Sequence, residues 1–387
     1  MNIIFFEDSF SKNLQPFTLT RPAAEIRVGI LTIREKWEKL LNAKCSYLSA
    51  DYLQQKYPAV IEDDNILVAS TLLPTAELIS ALKNLQQGEG LYQEGTLLAA
   101  RLNKESSFND IGQITEFDGE ISRIAVLPDI FLKNDEELRK DFDFLTKNRK
   151  SEDISSTNLI IGEKENIFVE KGAVIEGAVL NCKSGPIYIG SDAEVMEQAT
   201  IRGPFALCEH SQVKMSAKIY GATTIGPWCK VGGELSNVVF FGFSNKAHDG
   251  FLGNSVVGEW CNFGADTNAS NLKNNYSTIK IWNYNDKRFR DTGLQFCGLF
   301  MGDHSKCGIN SMFNSGTIVG VGCNLFGTGY YRNFVESFSY GGPNTGYEKY
   351  RLEKVIETAE QAFARRHKTF DDVEKAVIEY LWEKSNI

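Results

Sequence analysis

The sequence has no long hydrophobic run, no excess of positive charge and no closely paired cysteines. No stretch approaches the roughly 18 apolar residues that a membrane-spanning helix needs, so membrane insertion is not expected. Lysine and arginine (41) are outnumbered by aspartate and glutamate (50), and this net charge of -9 argues against nucleic-acid binding. The eight cysteines form no C-x-x-C pair and the chain opens without a positively charged leader, so we expect reduced thiols in a cytoplasmic protein.

Glycine is scarce in the first part of the chain, and its distribution divides the sequence. Residues 1–156 contain 6 glycines, whereas residues 157–346 contain 27. The glycine-poor part alternates strand-like apolar runs with helical patterns, which predicts an α/β domain over residues 1–150 and a polar linker over 151–158. The predicted strands are 3–6, 66–69, 96–101 and 124–127, and the predicted helices are 30–41, 76–85 and 135–146.

A period of six residues dominates the glycine-rich part. Eight successive aliphatic residues follow this spacing: Ile189, Val195, Ile201, Leu207, Val213, Ile219, Ile225 and Val231. Helices and flat strands have other periods, of about 3.6 and 2 residues. A period of six is typical of hexapeptide β-helices, in which three short strands form one triangular coil around a continuous aliphatic core. The sequence therefore predicts a β-helix over residues 159–345.

Two segments leave this repeat. Residues 272–294 read as a loop that departs from the coil, and insertions of this kind often build a binding surface. Residues 346–387 show helical periodicity, with Leu352, Val355 and Ala359 on one face of a first helix and Phe370 near the start of a second. We predict that these helices cap the open end of the β-helix, which would otherwise leave an unpaired edge.

The run Lys246-Ala247-His248-Asp249-Gly250-Phe251-Leu252-Gly253 carries a resemblance to a known family. It resembles the acetyltransferase domain of the bifunctional N-acetylglucosamine-1-phosphate uridyltransferase/glucosamine-1-phosphate acetyltransferase family, although a tyrosine of that motif is Phe251 here. The resemblance implies a left-handed β-helix, a homotrimer, acetyl-CoA as co-substrate and His248 as catalytic base, with Asp249 beside it to orient it.

The same resemblance implies further site residues in the β-helix. Asn262 falls on an active-site asparagine of that family and Asn271 on a second asparagine near the acetyl donor. Lys246, in the quoted run, is a further candidate for substrate or acetyl-CoA binding, and His304 is the runner-up base on the residues alone. Each also has a structural alternative: histidines stabilise turns, and asparagines form ladders inside solenoids.

The N-terminal run Leu14-Gln15-Pro16-Phe17-Thr18-Leu19-Thr20-Arg21-Pro22-Ala23-Ala24-Glu25-Ile26-Arg27 resembles the signature of sugar-nucleotidyltransferases. The glycine-rich phosphate loop of that family is replaced by residues 7–11, its lysine by Ala23, and its Gly-Asp strand end by Ser70-Thr71. The resemblance implies that the nucleotide-binding residues are Asp8, Arg21, Arg27 and Lys36. If the domain is active, Mg²⁺ would bind to Glu7 or Asp8.

Together these patterns predict a two-domain transferase of sugar-nucleotide metabolism. The preferred activity is acyl-CoA-dependent N-acetylation of an amino-sugar phosphate or nucleotide amino sugar by the β-helix. The second is sugar-1-phosphate nucleotidyl transfer in the first domain, with the β-helix as an oligomerisation scaffold. The third is non-catalytic binding of a sugar nucleotide.

Overall fold

The computed structural model describes residues 2–386 of the chain. Contacts divide them into two compact units, each described here by itself. The first consists of residues up to 26 together with residues 31–127, and the second of residues 27–30 together with those from 128 onward. The helix predicted at 135–146 therefore packs within the second unit.

The first unit is built on a six-stranded mixed sheet with the order β2-β1-β3-β6-β5-β7. Strands β1, β2 and β3 are parallel, and β6 pairs antiparallel with β3. All five residues of β1 are buried, as expected for a strand covered on both faces. The strands of this unit are β1 (Asn2–Phe6), β2 (Cys45–Leu48), β3 (Asn65–Ala69), β4 (Leu72–Leu73), β5 (Glu89–Gln93), β6 (Thr96–Leu102), β7 (Gln113–Glu116) and β8 (Ser122–Arg123).

Two helices of the first unit begin at side-chain caps. In α1 (Ile33–Leu41) the Thr32 hydroxyl accepts the backbone N–H of Glu35, whose carboxylate accepts the N–H of Thr32. In α2 (Ala76–Asn84) the Thr75 hydroxyl accepts the N–H of Leu78. Such caps satisfy N–H groups that have no partner within the helix.

Most of the predicted elements of the first domain are present. The predicted strand at 124–127 is not: these residues follow the short strand β8 as irregular backbone that leads into a turn, although all four are apolar. Their apolar character is explained by burial and not by strand pairing, since Ile124 and Leu127 are fully or almost fully buried.

The second unit contains the predicted β-helix, with parallel strands stacked in three columns. Its strands are β9 (Leu159–Ile161), β10 (Ile167–Val169), β11 (Val174–Ile175), β12 (Val179–Asn181), β13 (Ile187–Ile189), β14 (Glu194–Val195), β15 (Thr200–Arg202), β16 (Phe205–Leu207), β17 (Gln212–Val213), β18 (Lys218–Tyr220), β19 (Thr223–Ile225), β20 (Lys230–Val231), β21 (Glu234–Gly242), β22 (Asn245–Lys246), β23 (Phe251–Glu259), β24 (Asn262–Phe263), β25 (Asn268–Ala269), β26 (Lys280–Asn283), β27 (Arg288–Asp291), β28 (Phe300–Met301), β29 (Lys306–Cys307), β30 (Met312–Phe313), β31 (Ile318–Val319), β32 (Asn324–Leu325), β33 (Phe334–Val335), β34 (Ser339–Gly342) and β35 (Gly346–Lys349).

The period of six fixes the core of this β-helix. All eight aliphatic residues of the repeat are buried, none more than 1% exposed, and they belong to one continuous hydrophobic cluster. Their strands pair in register from coil to coil, with Ile189 opposite Leu207 and Leu207 opposite Ile225. The predicted loop at 272–294 differs in part, because it contains the antiparallel hairpin of β26 and β27.

Within residues 2–386 the second unit contains four α-helices: α3 (Asp129–Leu132), α4 (Asn134–Thr146), α5 (Leu352–Ala364) and α6 (Asp372–Lys384). From α5, Phe363 stacks on Trp260 at 3.8 Å between ring centroids, and the following Arg366 donates to the Asn245 side chain at 2.8 Å. Since Trp260 and Asn245 lie in middle coils, α5 covers a side of the β-helix, whereas the sequence analysis predicted a cap over its open end.

Candidate functional site

A cavity of about 510 Å³ opens in the first unit where the parallel strands end. Its walls include Glu7 and Asp8, which follow β1, and Leu48 and Ser49, at the end of β2. Ligands of open α/β sheets bind outside the carboxyl ends of parallel strands. The cavity therefore lies where this architecture places a substrate.

The segment after β1 is held by Asp8. Its Oδ1 accepts the backbone N–H groups of Phe10 and Ser11, at 3.0 and 3.1 Å, and its Oδ2 accepts the Thr71 hydroxyl. The Glu7 carboxylate accepts the Ala23 N–H at 3.2 Å. Burial raises the pKa of Glu7 above its usual value, against the opposing effect of hydrogen bonds from Ser11, Ala23 and Ser70.

Only some of the predicted nucleotide-binding residues reach this cavity. Asp8 and Arg21 both line it, and Arg21 is buried, with 4% of its surface exposed. Lys36 is buried on α1 and is not among the lining residues. Arg27 is not among the residues that line the cavity: it belongs to the second unit, where its Nε donates to the Phe241 carbonyl at 3.0 Å.

Lys12 is a lining residue that the sequence analysis missed. It is exposed at the cavity and lies six residues after the end of β1, directly after residues 7–11, which replace the glycine-rich phosphate loop. That position was the signal that could have identified it, because a cation there can replace the lysine lost at Ala23.

One carboxylate of this cavity, that of Asp8, is suited to bind a magnesium ion. Mg²⁺ is usually held by one or two carboxylates together with substrate phosphates and water. Asp8 lines the cavity, and its Oδ2 accepts a single hydrogen bond. Glu7 fits less well, since burial raises its pKa and its carboxylate already accepts the Ala23 N–H. Among residues 2–386, no group of three or more His, Cys, Asp or Glu side chains is placed to hold a metal by itself.

In the β-helix, His248 and Asp249 are exposed at a bend between β22 and β23. Lys246 fixes this bend from inside, because its Nζ donates to the carbonyls of His248 at 2.9 Å and Asp249 at 3.2 Å. The exposed imidazole and carboxylate are thus carried by a backbone that is tied to the core.

Lys246 itself points into the coil. It occupies the position opposite Val231 in the column of core valines and is 1% exposed. Burial lowers its pKa to about 8, although Asp249, Cys307 and Asp266 favour the charged form. Lys246 therefore supports the bend, and the structure does not bring it to the surface as a substrate contact.

We expect the Lys246→Met variant to change the pH dependence of stability. The pKa of lysine in the unfolded chain is about 10.5. Between about pH 8 and 10.5, Lys246 is therefore mostly neutral in the folded protein and mostly protonated in the unfolded chain, so that unfolding takes up a proton. The free energy of unfolding of the parent consequently rises with pH over this range. The free energy of unfolding of the parent minus that of the variant should rise by about 3 kcal/mol over this range. Urea denaturation of both proteins at a series of pH values measures it. A difference that stays flat with pH would show that Lys246 is not buried as described.

The other predicted site residues lie at separate corners of the triangular coil. Asn262 is exposed on β24 and accepts a weak bond from Asn245 at 3.4 Å. Asn271 donates to Asn254 at 2.8 Å, at the corner between the two halves of β23. His304 is buried against Trp260, Phe363 and Phe370. A single chain does not bring Asn271 or His304 to His248.

Residues 3–150 match the family model described as sugar nucleotidyl transferase. The predicted resemblance of the first domain is confirmed. Two curated proteins are also similar to this chain. The chain is 37% identical over 76 residues to the bifunctional protein GlmU of Methanocaldococcus jannaschii, covering 20% of this chain and 18% of that protein. It is 28% identical over 144 residues to a bifunctional sugar-1-phosphate nucleotidylyltransferase/acetyltransferase of Sulfurisphaera tokodaii, covering 37% and 35%. The chain thus matches about a third or less of the length of these relatives.

Solved structures similar to the chain include two acyltransferases. One is AntD, an N-acyltransferase from Bacillus cereus, in complex with dTDP-4-amino-4,6-dideoxyglucose and coenzyme A; the other is UDP-N-acetylglucosamine acyltransferase from Campylobacter jejuni. Each is 13% identical with a TM-score of 0.26, and they cover 54% and 60% of this chain and 90% and 97% of their own. Scores this low support no inference about ligands. Within residues 2–386, no helix is long and apolar enough to cross a membrane.

Proposed function

We propose that this protein is a cytoplasmic, homotrimeric transferase of sugar-nucleotide metabolism whose first domain binds a nucleotide and a sugar phosphate. The observation that carries the proposal is the cavity at the ends of the parallel strands, within the region that matches sugar nucleotidyl transferases. Its walls combine the cations Lys12 and Arg21 with the apolar and aromatic side chains of Leu53 and Phe108. Cationic side chains bind phosphates, and apolar or aromatic side chains pack against a base or a sugar.

The reaction proposed for this cavity is nucleotidyl transfer. A phosphate oxygen of the sugar 1-phosphate attacks the α-phosphorus of a nucleoside triphosphate, the bond to the β-phosphate oxygen breaks, and pyrophosphate leaves. Positioning and charge stabilisation account for most of the catalysis in such reactions. Arg21 and Lys12 would neutralise the phosphate oxygens, and Asp8 would hold Mg²⁺, which supplies further positive charge when bound.

We expect Arg21→Ala to lower the rate of pyrophosphate release by roughly 10²- to 10³-fold, the usual loss when one charge-assisted contact to a transition state is removed. Coupled-enzyme detection of pyrophosphate measures the rate. Because Arg21 is buried, Lys12→Met provides an exposed second variant, and Lys39→Met on the outside of α1 is the matched control. If both cavity variants release pyrophosphate like the control, the cavity is not the site of transfer.

N-acetyl transfer in the β-helix is the second proposed activity, and the bend at His248 favours it. A base must take a proton from the attacking amine of an amino-sugar phosphate or nucleotide amino sugar while the thioester of acetyl-CoA is cleaved. His248 is an exposed imidazole on a backbone fixed by Lys246, with Asp249 beside it. Since Asn271 lies at another corner, a complete site would combine residues of neighbouring copies in the trimer.

A further inference from the structure

A second cavity, of about 490 Å³, lies at the last coils of the β-helix and involves none of the residues discussed above. We call it the C-terminal cavity; it is lined by Asn324, Tyr340, Tyr350 and the charged residues Glu348, Lys349, Arg351 and Lys354. Strand pairing assembles one wall, with Asn324 opposite Tyr340 and Tyr340 opposite Glu348. Its volume lies within the range of about 300–1,000 Å³ that is usual for small-molecule sites.

A pair of stacked tyrosines gives this cavity an aromatic wall. The rings of Tyr340 and Tyr350 stack with centroids 5.1 Å apart at an interplanar angle of 29°. Phe326 packs edge-on against Tyr340, and the Trp382 indole donates to the Tyr350 carbonyl at 2.7 Å. Both tyrosines remain partly exposed. The wall is therefore held rigidly by the fold while it is open to a ligand.

The charge of the cavity is positive, which is unusual in a chain with a net charge of -9. Three cations face one carboxylate, Glu348. Lys349 is engaged with the Trp382 ring at 4.2 Å, and Lys354 pairs with Glu357 at 2.6 Å. Arg351 is exposed, and within residues 2–386 its guanidinium makes no hydrogen bond or ion pair.

We propose that the C-terminal cavity binds a nucleoside phosphate, with the base against Tyr340 and Tyr350 and a phosphate on Arg351. Aromatic side chains bind bases through their π faces, and the planar guanidinium fork matches two phosphate oxygens. The Asn324 amide offers a donor and an acceptor at the same wall. This site goes beyond the proposed function, because none of its residues belongs to the first unit. A free nucleotide, a sugar nucleotide and the nucleotide part of coenzyme A all carry this chemistry.

Calorimetric titration of the full chain with ADP tests the affinity, and photolabelling with 8-azido-ADP followed by peptide mapping tests the location. Label is expected on peptides that contain Tyr340 or Tyr350. Arg351→Gln should weaken ADP binding there by about tenfold or more, since it removes a charge-assisted hydrogen bond. Arg365→Gln, an exposed arginine at the other end of α5, is the matched control and should stay within about twofold.

Competition identifies the source of the ligand. Each competitor is added separately. If only coenzyme A, or only a UDP-sugar, prevents labelling of the C-terminal cavity, the proposal is supported and the class of the natural ligand is identified. Label confined to peptides of residues 2–127 would overturn the proposal and leave the first-domain cavity as the nucleotide site. Equal labelling of the Arg351→Gln and Arg365→Gln variants would overturn it too.

Discussion

Replacing His248 by asparagine is expected to lower acetyl transfer from acetyl-CoA by about 10²- to 10⁴-fold, the range for loss of a positioned general base. Asparagine keeps a polar side chain of similar reach at an exposed bend but cannot accept the proton of the attacking amine. The backbone of the bend should be preserved, because Lys246 bonds to the carbonyls of residues 248 and 249 rather than to their side chains. Turnover is measured by release of free coenzyme A with a panel of amino-sugar phosphates and nucleotide amino sugars.

The matched control is His210→Asn, another exposed histidine of the same β-helix. His210 stacks on Trp228 at 4.3 Å between ring centroids and has no place in the proposed chemistry. It should keep its activity within a few-fold, and light scattering should show the same oligomer for both variants and the parent. Transfer that survives in the His248→Asn variant would remove His248 as the base.

Replacing Gly226 by alanine is expected to destabilise the β-helix by roughly 3 kcal/mol or more, as is typical when a new group overlaps with a packed interior. A Cβ atom at Gly226 would lie 2.0 Å from the Phe241 carbonyl oxygen and 2.5 Å from its carbon, both in the backbone of the next coil. Neither atom can move unless the coils separate. Urea denaturation followed by circular dichroism measures the loss.

Gly308 provides the control, since it also follows a core residue of the repeat, Cys307. A Cβ atom there would meet its nearest neighbour, the Leu325 carbonyl oxygen, at 3.6 Å, an ordinary contact. Gly308→Ala should therefore be neutral or stabilising by up to about 1 kcal/mol, through the lower entropy of the unfolded chain. Equal stability of the two variants would contradict the described approach of the coils.

The β-helix was predictable because one physical requirement repeats along the chain: each strand buries one side chain. The burial of Lys246 was not predicted from this regularity, because lysine is rarely buried. Lys246 nevertheless occupies a core position opposite Val231. Its role depends on carbonyl groups of the following bend, and no sequence period reports where a carbonyl points. Residues 124–127 were misread for a related reason, since an apolar run shows burial but not the ladder that makes a strand.

The nucleotide site was less predictable, because its members come from distant segments. Arg21 and Arg27 share one signature and are six residues apart, yet only Arg21 lines the cavity. Arg27 lies with the second unit and bonds to Phe241, far along the sequence. Lys12 escaped notice because a single lysine in a loop has no periodicity. Such contacts are set by tertiary packing, which a motif alone does not encode.

The activity proposed for the first domain is the formation of a sugar nucleotide. The most direct measurement is mass spectrometry of reactions that contain the parent protein, Mg²⁺, each common nucleoside triphosphate and a panel of sugar 1-phosphates. We expect a sugar nucleotide and equimolar pyrophosphate with at least one pair of substrates, and loss of both products in the Arg21→Ala variant. The absence of any sugar nucleotide from every mixture, with no nucleotide bound to the protein in native spectra, would contradict it.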